Sequence, residues 1–157
     1  DLKALAAGKS ITFVHGGTDE QLLQAYREAT CIVLPSVYDD LYGGHTDVPE
    51  LLGQTLLEGM ACGAPGVCTN VASLPEVVDD GVTGLVVAPN DTALRDALVR
   101  IDADPAAAAA MGAAARRSVI DRFSWPVVVD RCLRHYGLRT EAGRAGETPQ
   151  AAEHPHD

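Results

Sequence analysis

The chain alternates between short apolar runs and longer stretches with helical spacing. ITFVHGG, residues 11–17, alternates and then breaks at two glycines, which predicts a buried strand ending in a loop. TDEQLLQAYREAT follows, with Thr18 and Gln21 at capping-box spacing and Leu22, Leu23, Tyr26 and Ala29 on one helical face, so a helix is expected. CIVLPS is continuously apolar and stopped by Pro35, the pattern of a strand covered on both faces of a parallel sheet. SVYDDLYGGHTDVP then makes a polar loop, long against a usual connection of about 4–6 residues, and a long loop of this kind is functional or mobile.

Residues 51–62 carry helical spacing, and GAPGVCTN resumes a strand after a glycine C-cap. Ser73 and Glu76 again have capping-box spacing and predict a short helix ending near Gly81, followed by the strand TGLVVAP. NDTALRDALVRIDAD places Ala93, Leu94, Ala97, Leu98 and Ile101 on one side of a helix. Asp104-Pro105 predicts the start of the next helix, which runs toward Phe123, and Ser124 caps a last helix bearing Trp125, Val128, Val129, Cys132 and Tyr136. The order β-α-β-α-β-α-β-α describes an α/β fold, Rossmann-like, with a mostly parallel sheet flanked by helices and ligands at the carboxyl ends of the strands. Residues 139–157 carry almost no large apolar side chain and read as a disordered tail, leaving 1–138 as one domain.

Charge narrows the partners. The chain of 157 residues has a formal net charge of −10, which argues against nucleic acid as a partner, because that binding rests on Lys and Arg contacts to phosphates. An apolar run of about 20 residues, needed to cross a bilayer, is absent from the sequence. Cys31, Cys62, Cys68 and Cys132 lack zinc spacing and read as reduced core thiols of a cytoplasmic protein. The start DLKALAAGK, with no initiator Met, looks cut from something longer.

The stretch PELLGQTLLEGMACGAP holds the candidate chemistry. With a helix starting near Gly53, Glu58 lies about 7–8 Å along its axis while Glu50 stays in the loop before it, so the two carboxylates do not touch. Between them the N–H groups of Gly53, Gln54 and Thr55 form a small positive pole suited to a pyrophosphate, and Gly53 lets the backbone come close. Carboxylates accept strong hydrogen bonds from vicinal hydroxyls, so a nucleoside diphosphate sugar fits better than a hydrolytic dyad: Glu58 on the ribose, Glu50 on the sugar. The competing readings are a solvent-facing helix carboxylate for Glu58 and, for Glu50, a charge stabilised against the helix dipole by about 0.3–1 kcal/mol. His15 ends the first strand and is either a ligand contact or a structural histidine, whereas His45, His154 and His156 are surface groups. Asp102 and Asp104 have DxD spacing but end a helix and precede Pro105, so capping is expected there rather than a metal site. A GxGxxG after a strand, which a nicotinamide-dependent dehydrogenase requires, is not found.

The ordered motifs PS, PELLGQTLLEGMACGAP, LPEVVDDGVTGLVV and RFSW, with TDEQLLQAYREA before them, resemble the C-terminal half of family 4 retaining glycosyltransferases of the GT-B fold. Their mark is a glutamate, seven residues and a second glutamate, the spacing of Glu50 and Glu58. The resemblance implies that Glu50 contacts donor-sugar hydroxyls as the catalytic glutamate, that Glu58 holds the ribose, and that the amides of Leu51, Leu52, Gly53, Gln54 and Thr55 bind sugar and diphosphate. His15, Gly16 and Ser36 are further candidates at strand ends. It also implies a nucleotide-diphosphate sugar as substrate, with no cofactor and no metal, front-face transfer with retention, and an N-terminal domain of the same chain supplying the acceptor site. Any peripheral membrane contact would come through the missing parts, and the isolated fragment is expected to be inactive. The chain departs from the family pattern where His15, Leu51 and Ala72-Ser73 stand in place of glycines, and where residues 39–49 lengthen the loop before Glu50. Leu51, Ala72-Ser73 and the missing glycine-Arg turn and Lys of the family motivate the alternative of a non-catalytic nucleotide-binding or interaction module of the same fold.

Overall fold

In the computed structural model, which describes residues 2–138, three short strands run parallel in the order β1 (Ile32–Leu34), β2 (Gly66–Thr69) and β3 (Gly84–Val87). Val33 pairs with Val67, and Val67 with Leu85. Residues through Arg117 form one compact unit and those from Ser118 a second.

In the first unit β2 is buried along its whole length, because helices cover both faces of the sheet. Val67 packs with Leu85 against Ala97 and Ile101 of α5 (Asp91–Ala103) and Ala108 of α6 (Pro105–Phe123). On the opposite face Leu56 and Met60 of α3 (Gln54–Ala61) and Leu74 and Val77 of α4 (Leu74–Val77) are buried, with Val78 just beyond. Gly66, Val67 and Cys68 are what a strand without a wet face requires, and the polar Thr69 at its end is buried with its hydroxyl donated to Ser36 O. The closest approach in the sheet is at Gly84, where a Cβ would lie 1.8 Å from the Gly66 carbonyl oxygen, so only glycine permits that pairing.

Several local signals form as the residue types dictate. At α2 (Asp19–Glu28) the Thr18 hydroxyl accepts from Gln21 N–H and the Gln21 side chain accepts from Thr18 N–H, a complete capping box. The Asp104 carboxylate accepts from Ala107 N–H at 2.9 Å and starts α6, so the second Asp of the DxD pair is a helix cap. Asn90 caps α5 in the same way.

Other expectations are corrected. Residues 11–17 form no strand: Ile11 N–H bonds back to Lys9 O, and Val14 is 75% exposed. A strand exists only through its ladder, and this segment has no ladder bonds to β1. The face of α2 that carries Leu22 and Leu23 is correspondingly exposed. The helix expected from 51 begins at Gln54, since Gly53 is left-handed. The helix at Ser73 ends at Val77 rather than near Gly81, and Ser73 makes no capping bond because its own backbone is already helical (φ −83°, ψ −3°). A four-residue α1 (Leu2–Leu5) precedes the rest. Of the cysteines, all free, Cys68 is buried but Cys132 is exposed, so the expectation of four core thiols does not hold.

In the second unit α7 (Trp125–His135) follows Ser124, which has the extended N-cap backbone but makes no side-chain capping bond. Arg134 pairs with Asp130 at 2.9 Å one turn earlier. Trp125, Val129, Cys132 and Tyr136, expected on the apolar side of this helix, are exposed. The tail expected to be disordered lies outside the described residues.

Candidate functional site

The carboxyl ends of β1 and β2 and the N-terminus of α3 meet through loop contacts. Thr69 Oγ1 donates to Ser36 O at 2.6 Å, fixing the chain after β1 against the end of β2. The long loop at 37–49 is internally bonded. Asp40 accepts from Tyr42 N–H and Gly44 N–H at 2.7 and 2.8 Å, and Asp39 and His45 form an antiparallel bridge. His45 sits between Asp39 (2.7 Å) and Asp47 (3.2 Å), and these hydrogen bonds, Asp39 first, hold its pKa above the ordinary histidine range. Tyr38 at the base of the loop accepts from Ala72 N–H at 3.0 Å.

Ala72 itself has φ +47°, a left-handed conformation that favours glycine. The next residue, Ser73, has its hydroxyl free of helix capping and donates it to Leu51 O at 2.7 Å. The chain after β2 therefore holds the turn that precedes α3 from outside.

That turn is the centre of the site. Glu50 folds back so that a single oxygen, Oε1, accepts from the N–H groups of Leu51 (3.1 Å), Leu52 (3.4 Å) and Gly53 (3.0 Å). The convergence depends on Gly53, whose φ of +74° turns the chain into α3. A Cβ there would lie 2.8 Å from Leu74 Cδ2, so the space beside Gly53 is filled by core packing. The first-turn amides of Gln54 and Thr55 point the same way by helix geometry. Successive N–H groups aimed at one oxygen make an anion-binding turn, and a carboxylate of the chain occupies it.

Glu58 lies elsewhere on α3, and its Oε2 accepts from Tyr26 Oη on α2 at 2.9 Å. Burial, then the hydrogen bond and charge of Glu58, push the Tyr26 phenol up to about 12. A cavity of about 330 Å³ opens beside this pair, lined by Asp19, Leu22, Leu23 and Ala61 among others. Glu50 and Glu58 thus have separate partners on either side of the α3 start. His15 and Gly16 stand in the exposed irregular segment before α2, hydrogen-bonded neither to the Glu50 turn nor to Glu58. Tyr26 escaped the sequence reading, which used its ring only as part of an apolar face; the signal was a hydroxyl on a stripe otherwise made of Leu and Ala.

Known proteins resemble this chain in sequence and in fold. Alpha-maltose-1-phosphate synthase of Mycobacterium tuberculosis is 37% identical over 123 residues, 74% of this chain and 29% of that protein. The GDP-mannose-dependent alpha-(1-6)-phosphatidylinositol monomannoside mannosyltransferase of Mycolicibacterium smegmatis is 34% identical over 142 residues, 90% of this chain and 36% of that protein. Sucrose-phosphate synthase from Thermosynechococcus elongatus superposes with a TM-score of 0.70 at 33% identity, covering 87% of this chain and 33% of its own. The chain thus spans roughly a third of the length of each of these relatives, within the C-terminal lobe of a GT-B glycosyltransferase fold. Residues 2–118 match the sequence profile described as Glycosyl transferases group 1, and with the parallel sheet and the Glu50 turn already placed, the chain belongs to that family.

Proposed function

We propose that this chain is the donor-binding half of a retaining glycosyltransferase that takes its sugar from a nucleotide-diphosphate sugar. The observation that carries the reading is the convergence of three amides on Glu50 Oε1 at the start of α3. A diphosphate oxygen is a stronger anion for that turn than a carboxylate and displaces it. Glu50, released, turns to the donor-sugar hydroxyls as the catalytic glutamate, and Glu58 takes the ribose. The amides of Leu51 to Thr55 then face the charge that develops on the leaving phosphate, the place where fixed N–H dipoles lower a barrier most. The leaving phosphate accepts the acceptor's proton on the same face, so configuration is retained and the turn needs neither metal nor cofactor. An N-terminal domain would supply the acceptor site, and the GDP-mannose dependence in the mannosyltransferase relative's name supports a nucleotide donor.

A second reading has its own observation. With Glu50 filling the turn, its three amides are satisfied by the chain's own carboxylate, an arrangement that a non-catalytic module would keep. Calorimetry of the intact protein with UDP, GDP and ADP, compared with Glu58→Ala and followed by a transfer assay on the nucleotide that binds, separates the two. Binding weakened by Glu58→Ala, together with transfer abolished by Glu50→Ala, supports the enzyme. Binding without transfer to any acceptor tried points to the module, and equal binding by parent and Glu58→Ala removes Glu58 from the ribose.

A further inference from the structure

Tyr26 has a role that the two glutamates alone do not describe. It sits on α2, whose start is set by the Thr18–Gln21 capping box, so its position along the helix is fixed within the unit. Glu58 sits on α3, whose backbone is held against the sheet. Leu56 and Met60 are buried, and a Cβ on Gly59 would lie 2.8 Å from Ile32 Cβ. The two helices therefore present a hydroxyl and a carboxylate at a set separation, joined at 2.9 Å across 32 positions of sequence.

From this juxtaposition we infer that Tyr26 is a positioning residue: by holding Oε2 it sets the plane of the Glu58 carboxylate so that Oε1 faces a vicinal diol, and it thereby determines selection for a ribonucleoside. The inference rests on the donor-binding reading and assigns the residue that makes its ribose contact selective. A free glutamate on a helix surface samples several rotamers, and each hydrogen bond to a diol must overcome that loss of freedom. With one oxygen already accepting a hydrogen bond, most of that ordering precedes binding. The phenol suits the task, because a tyrosine hydroxyl is protonated at neutral pH, and burial with the neighbouring charge extends its range as a donor to higher pH. The walls beside it, Leu22 and Leu23, are apolar and offer a nucleoside packing surface without competing for its hydroxyls.

The test is calorimetry on the intact protein with UDP, GDP and ADP, each paired with its 2′,3′-dideoxy counterpart, for the parent, Tyr26→Phe, Glu58→Ala and the double variant. Tyr26→Phe keeps the ring and removes one donor, and a thermal melt verifies that it folds. Tyr26→Phe is expected to weaken the ribonucleotide by about three- to ten-fold, less than the full worth of a hydrogen bond to a charged group because the phenol orders Glu58 rather than touching the ligand, while leaving the dideoxy form within about two-fold. In the Glu58→Ala background the same change should have no further effect. Equal weakening of both nucleotide forms, or a loss that persists without Glu58, would make Tyr26 a plain structural tie and overturn the inference. If Glu58→Ala weakens binding and Tyr26→Phe does not, the Tyr26 role alone falls. If no nucleotide binds the parent, the donor reading and this inference fall together.

Discussion

Replacing Gly53 by alanine tests the turn on which the site is built. The residue has φ +74°, and an L side chain in the left-handed region costs about 1–2 kcal/mol. The added Cβ would also stand 2.8 Å from Leu74 Cδ2. Leu74 is fully buried and cannot swing into water, so the collision is relieved only by disturbing the core, at about 1–3 kcal/mol. The narrower freedom of alanine in the unfolded chain returns about 0.4–1 kcal/mol. The net expectation is a loss of about 2–4 kcal/mol. Gly63→Ala is the matched control: Gly63 has φ +95° at the other end of α3, and its Cβ would meet nothing within 4 Å. Its loss should be conformational alone, about 1 kcal/mol. Urea unfolding followed by far-ultraviolet circular dichroism gives both values, and their difference isolates the Leu74 collision. If Gly53→Ala were no more destabilising than Gly63→Ala, the account of Gly53 as a residue wedged against the core would be wrong.

Three further outcomes are expected. Ala72→Gly relieves a left-handed alanine at φ +47° at the expense of glycine's larger unfolded-state freedom, so urea unfolding should show a gain of about 0.5–1 kcal/mol; a loss would mean that the strain is not there. The pKa of His45 is raised in the folded chain, so its pairing with Asp39 and Asp47 contributes fully below the ordinary value near 6.5 and is lost as pH rises through the higher folded value. An NMR titration of the His45 ring should place its midpoint above that of an unfolded histidine, and Asp39→Asn should bring it down, Asp39 being the largest cause. Under the proposed mechanism, transfer by the intact protein should survive dialysis against EDTA, because the amides of the Glu50 turn carry the leaving-group charge; complete loss restored by a divalent cation would contradict that assignment.

What the sequence determined by itself is what neighbours in the chain can decide. The Thr18–Gln21 box, the Asp104 cap and the apolar run of β1 follow from residue types a few positions apart, because a short side chain reaches only the amides next to it and an unbroken apolar run suits a strand inside a parallel sheet. The spacing of Glu50 and Glu58 around a helix start was legible for the same reason, being a matter of 1.5 Å rise per residue. The tertiary structure alone decided that Glu58 meets Tyr26, that Ser73 leaves its helix to bind Leu51, and that Tyr38 holds Ala72, pairs 22 to 34 positions apart. It also left residues 11–17 without a ladder despite their strand-like alternation. Those outcomes depend on which surfaces the packed sheet brings within hydrogen-bond reach, since a backbone polar group or a hydroxyl takes whatever partner the fold sets beside it.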